Sequence, residues 1–117
     1  MKVFHASVYG ISHSQLGKIL EKKFEEEILS VHLSTYDNFS VLIVDKFYLR
    51  AKEDLVGVMI MREIKEKRIE IEIVLCGAEN VLFMLDSMEK NMTKYLSKIL
   101  KNIGREKNLE VEIQGEA

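Results

Sequence analysis

Proline and tryptophan are absent from this 117-residue chain, and there is a single cysteine. Without proline no turn can rest on a pre-set φ, so glycine, asparagine and aspartate have to make the turns. One cysteine, Cys76, excludes an internal disulfide framework. A chain of this length buries enough apolar surface to fold without such a staple and without a structural metal. No apolar run approaches the ~18 residues of a membrane span. The opening "MKVFHASVYG" has no long apolar stretch of the signal-peptide kind. The six glycines are scattered, which excludes a Gly-rich phosphate loop. An excess of one charge is lacking too: 17 basic side chains stand against 19 acidic ones, a net charge of −2. A general nucleic-acid binder needs a clustered basic surface. These absences point to one cytoplasmic domain over residues 1–117, with no membrane, nucleic acid, cofactor or metal as partner. Abundant Lys, Glu and Ile with little Gln point to a thermophilic source.

The residues that are present show clear periodicity. Residues 2–9 alternate, Phe4, Ala6 and Val8 against His5, Ser7 and Tyr9, the pattern of a half-buried strand ended by Gly10. A helix is predicted over 12–29. Ser12 and Gln15 form a capping box, Ile11 and Leu16 a hydrophobic staple, and Leu16, Ile19, Leu20, Phe24 and Ile28 an apolar stripe. Residues 31–36 alternate again, Val31, Leu33 and Thr35 against His32, Ser34 and Tyr36. Strands follow at 39–50, 55–64 and 66–76, joined by the turn "AKED" and a charged hairpin around Lys65–Lys67. In the last of these Ile69, Ile71, Ile73 and Leu75 alternate with Glu70 and Glu72. After "GAEN" a long helix is predicted from Asp86 to about Ile103, with Asn80 as the other candidate start and Gly104 as the residue that stops it. Residues 109–113 alternate and suit a short final strand. The predicted class is α+β: an antiparallel meander in the order β-α-β-β-β-β-α, with a short C-terminal strand as an option and both helices on one face.

The strands at 39–50 and 55–64 are apolar on both faces, Leu42 and Val44 against Val41 and Ile43, and Val56, Val58 and Ile60 against Leu55, Met59 and Met61. A soluble monomer rarely exposes so large a patch. Three things could cover it: a second subunit, the long helix, or a ligand. The expected surface has Leu42, Val44, Val58 and Ile60 as its apolar floor and His5, Ser7, Tyr9, His32, Ser34 and Tyr36 as its polar rims. The expected function is that of a non-enzymatic homodimeric binding or regulatory module. The alternatives are an apolar-ligand site and a Cys/His enzyme.

The element order β-α-β4-α resembles one half of a TATA-binding protein. It also resembles a reduced helix-grip domain of the lipid- and hormone-binding kind, and that second likeness implies a small apolar ligand held in a concavity. "VLIVDKFYLRAKEDLVGVMI" and "GAENVLFMLDSMEKNM" resemble an uncharacterised family of bacterial and archaeal proteins of about this length, through Phe47, Tyr48, Arg50, Gly77 and Phe83. That likeness implies no activity.

The sequence offers four candidate chemistries. Cys76 would share a strand face with His5, and a thiol beside an imidazole can act as a nucleophile. His5, His13 and His32 lie on three elements without the spacing of a zinc motif, and His13 reads as a solvated residue of the first helical turn. Glu70 and Glu72 are better explained by ion pairs with Arg62 or Arg68 than by acid–base catalysis. Lys90, Lys94, Lys98, Lys101 and Arg105 form a basic stripe on the second helix. It reads as a solvated face, with an acidic partner or nucleic acid as the functional alternative.

Overall fold

The computed structural model describes residues 2–27, 29–48, 53–77 and 82–114. Its elements are β1 (Lys2–Tyr9), α1 (His13–Glu26), β2 (Ser30–Thr35), β3 (Phe39–Tyr48), β4 (Glu53–Lys65), β5 (Arg68–Gly77), α2 (Leu82–Lys107) and β6 (Glu110–Gln114). The strands form one antiparallel sheet in the order β2-β3-β4-β5-β1-β6. The α+β class, the meander and the optional final strand are all present.

The alternation read from β1 and β5 has a single cause. Phe4, Ala6 and Val8 pair with Ile73, Ile71 and Ile69, so both strands turn the same apolar parity inward. Leu55, Met59 and Met61 of β4 and Leu42 and Val44 of β3 continue this inner face. Both helices cover it. Leu16, Leu20 and Phe24 of α1 and Met92, Leu96, Leu100 and Ile103 of α2 join one buried cluster with these strand residues. The helices also touch each other. Phe24 and Tyr95 have ring centroids 6.2 Å apart, and Lys23 pairs with Glu106 at 3.0 Å. The long helix therefore lies beside α1 and leaves the second sheet face to something else.

The capping box at Ser12 and Gln15 is formed. The helix boundaries differ from expectation in three places. α1 stops at Glu26, before Ile28, which lies outside the described residues. α2 is already helical at Leu82, ahead of Asp86, because the apolar run before Asp86 continues as helix; Asn80 lies outside the described residues. α2 also runs through Gly104 to Lys107. The stop is Asn108, with φ of 57°, and the Leu109 amide donates to the Gly104 carbonyl at 2.8 Å, which closes a Schellman-type end. Gly104 serves packing instead. A Cβ there would sit 2.8 Å from Val111 Cγ2 and 3.0 Å from the Leu109 carbonyl oxygen, so its absence lets β6 fold tightly against the helix. Among the described residues no helix is long and apolar enough to cross a membrane.

Candidate functional site: the open sheet face

The registers define what the uncovered face carries. Ile43, Val58, Val74 and Val3 lie in one row across four strands, continued by His32 on β2. The next row runs Ser34, Val41, Ile60, Glu72, His5 and Gln114. On the other side lie Asp45, Val56 and Cys76. Seven apolar side chains thus adjoin one another: Val3, Val41, Ile43, Val56, Val58, Ile60 and Val74. Val3 is 42% exposed and Ile43 38%, unusual values for large apolar groups in mid-sheet.

Val58 and Ile60 belong to this floor as expected. Leu42 and Val44 do not. Both are fully buried under the helices, and their register partners Met59 and Gly57 point the same way. Val41 and Ile43 take their places. The parity of β3 was hard to read because Asp45 and Lys46 are adjacent and put one charge on each face. Lys46 solves its inward placement by resting its ammonium over the Tyr95 ring, 5.1 Å from the centroid.

The rims are knit together. On one side the Ser7 hydroxyl donates to Glu70 Oε2 at 2.7 Å, Arg68 Nη2 lies 3.3 Å from Glu70 Oε1, and the Arg68 guanidinium sits 5.5 Å from the Tyr9 ring centroid. His5 Nε2 is 3.7 Å from Glu72 Oε2. Glu70 is therefore paired along its own strand with Arg68, while Arg62 lies across from it in register. On the other side His32 Nε2 and Ser34 Oγ are 3.2 Å apart, and Tyr36 stacks on Phe39 with centroids 4.6 Å apart. Of the six residues expected at the rims, His5, Ser7 and Tyr9 lie on β1, His32 and Ser34 on β2 and Tyr36 just beyond it; Ser7 is 3% exposed and so is covered rather than presented at the surface. The two groups stand four strand steps apart, about 19 Å. β1 is not a sheet edge, because β6 adds outside it.

The geometry separates Cys76 from His5. His5 faces Glu72, four residues from Cys76 along β5, so the two lie roughly 14 Å apart in the strand direction. A thiolate–imidazole couple requires hydrogen-bond reach. The three histidines remain on separate sites, and among the described residues no three His, Cys, Asp or Glu side chains group as metal ligands.

His13 was misjudged from sequence. It is 6% exposed rather than solvated. Its ring bridges Ser40 Oγ (2.7 Å from Nδ1) and the Asp37 carbonyl (3.0 Å from Nε2), and its amide donates to Glu63 Oε1 at 2.9 Å. A carbonyl can only accept, so Nε2 carries the proton, and in the neutral ring Nδ1 accepts from the Ser40 hydroxyl. The result pins the start of α1 to the β2–β3 turn and to β4. Ser40 in the inward parity of β3 was the available signal, since a buried hydroxyl requires a partner.

Comparison with family models, with curated proteins and with solved structures found no match to this chain.

Proposed function

We propose that this protein is a non-catalytic homodimeric binding module whose subunits meet through the open sheet face. The observation that carries the reading is the seven-residue apolar field at the centre of that face, bounded by two polar rims. Strand spacing and rise set its size. At about 33 Å² per position, the seven apolar positions cover roughly 230 Å². The whole face, six strands by about eight residues, covers roughly 800 Å². The first figure is smaller than the largest apolar patch of a typical monomer, whereas the second matches the area each partner contributes to a standard interface, so the interface takes in the polar rims as well as the apolar field.

A flat apolar field with polar margins is self-complementary under a two-fold axis, and two-fold dimers are the commonest oligomers. The rims support the same reading. Ser7 donates to Glu70, which also pairs with Arg68, so that carboxylate is committed to positioning rather than to chemistry on a substrate.

Light scattering on the purified chain tests the proposal. A mass of two chains that persists to micromolar concentration is expected. A monomer across that range sinks the reading. A monomer that binds an apolar dye such as ANS on this face would transfer support to the apolar-ligand alternative.

A further inference from the structure

The strongest feature outside the open face is a groove of about 900 Å³ between α2 and β6. Its α2 wall carries Lys94, Lys98, Lys101 and Arg105, all exposed. The first three have no carboxylate partner among the described residues, and Arg105 hydrogen-bonds the Asn102 amide oxygen. Attraction to the C-terminal end of the helix dipole accounts for Arg105 only, because that effect fades beyond the last turn. Lys94, Lys98 and Lys101 lie upstream of it. Ser97 lines the same groove, is 2% exposed and has no hydrogen-bond partner for its hydroxyl among the described residues. The floor is Leu109 and Val111, both half-buried. The opposite wall is the outer side of β6, the last strand of the sheet, where backbone N–H and C=O groups face away from β1.

We propose that this groove receives an extended acidic segment of a partner protein, added to β6 as a seventh strand. Three observations select that occupant. The stripe from Lys94 to Arg105 spans about 16 Å along the helix, and β6 spans about 14 Å, so cations and strand edge run side by side over equal lengths. An added strand presents every second side chain to the helix layer, where acidic residues meet the lysines, while the alternate, apolar side chains extend the open face. A nucleic acid would use the cations but not the strand edge, and no aromatic side chain lines the groove for base stacking. A second copy of this chain pairing β6 with β6 would bring its own lysine stripe against this one, a like-charge contact that disfavours it. The acids of β6, Glu110 and Glu112, alternate to the open face, away from the groove. This assignment is independent of the dimer reading, which uses the other side of the sheet.

The test uses the full chain and fluorescein-labelled peptides followed by anisotropy at low salt. The first peptide alternates Val and Glu over about ten residues, twice an ordinary strand. The second has Lys for Glu, and the third has proline at alternate positions. A thymidine oligonucleotide of equal charge serves as polyanion control. The Val-Glu peptide is expected to bind, to protect β6 amides from hydrogen exchange, and to lose at least about tenfold in affinity on proline insertion. The double reversal Lys98→Glu, Lys101→Glu weakens it by a similar factor and leaves the oligomeric state unchanged. Both positions are exposed, so folding is not at risk. The proposal is overturned if the proline peptide binds as well as its parent, if the oligonucleotide binds tighter than the acidic peptide, or if no peptide binds.

Discussion

The His13–Ser40 contact gives the sharpest prediction, because its magnitude follows from the geometry and its sign pattern is specific. Replacing His13 with alanine removes a ring that is 6% exposed. The lost packing is worth about 1 kcal/mol. It also leaves the Ser40 hydroxyl, fully buried, without the acceptor it now meets at 2.7 Å, a penalty of about 1–3 kcal/mol. The Asp37 carbonyl belongs to an exposed turn and rehydrates at little cost. The sum for His13→Ala is about 2–4 kcal/mol. Ser40→Ala strands Nδ1 instead and costs about 1–2 kcal/mol. The double variant has neither orphan, so it should be about 1–2 kcal/mol more stable than the sum of the singles predicts. Urea unfolding of the four proteins measures this, with an unchanged m-value showing that the same surface is exposed. A solvated histidine would cost under about 0.5 kcal/mol. That result, or strict additivity in the cycle, would refute the bridging role.

Other outcomes follow from features already described. Val58→Glu puts a carboxylate at the centre of the open face. Monomer stability should change by no more than about 1 kcal/mol, since Val58 is only half-buried within the chain. The dimer should fall apart at micromolar concentration, because two buried unpaired charges cost several kcal/mol each; light scattering that still reports a dimer would mean this face is not the interface. Gly104→Ala improves helix propensity by about 1 kcal/mol but drives a Cβ to 2.8 Å from Val111. A net loss of about 1–2 kcal/mol is expected in thermal unfolding, and a gain would show that β6 yields freely. Cys76 is exposed and removed from His5. It should react with a disulfide reagent at the rate of an ordinary free thiol, and His5→Ala should leave that rate unchanged. A tenfold drop in the variant would restore the couple as a chemical unit.

The parts of the fold that the sequence disclosed are those where one periodicity has no competitor. β1 and β5 alternate cleanly, and the staple and capping box around Ser12 mark a start that only a helix explains. β3 was legible as a strand but not in its facing, since "VLIV" is apolar at every position and Asp45 and Lys46 cancel as markers. That one-residue ambiguity exchanges Leu42 and Val44 for Val41 and Ile43, a whole-face error of the kind a period of two always produces. Gly104 misled for a different reason. Glycine ends helices by adopting positive φ, but it also permits close approach, and which role applies depends on a strand that follows it. His13 needed a partner two elements further on, Ser40 of β3, which no local pattern can show. The rims were legible because polar residues at every second position are recognisable wherever the sheet places them.

β1 is held between β5 and β6, and both ladders are distant in sequence: Lys2 meets Leu75, and His5 meets Gln114. Strands β2 to β5 are contiguous and can zip from hairpin to hairpin, whereas Phe4, Ala6 and Val8 wait for partners made some sixty to over one hundred residues later. The part of the sheet beyond β5 is thus set by the closure of its largest loops, whose entropy must be met before any contact there forms. Docking of β1 is therefore the expected slow step of folding, and during synthesis the β5 edge has no strand partner until β1 pairs with it.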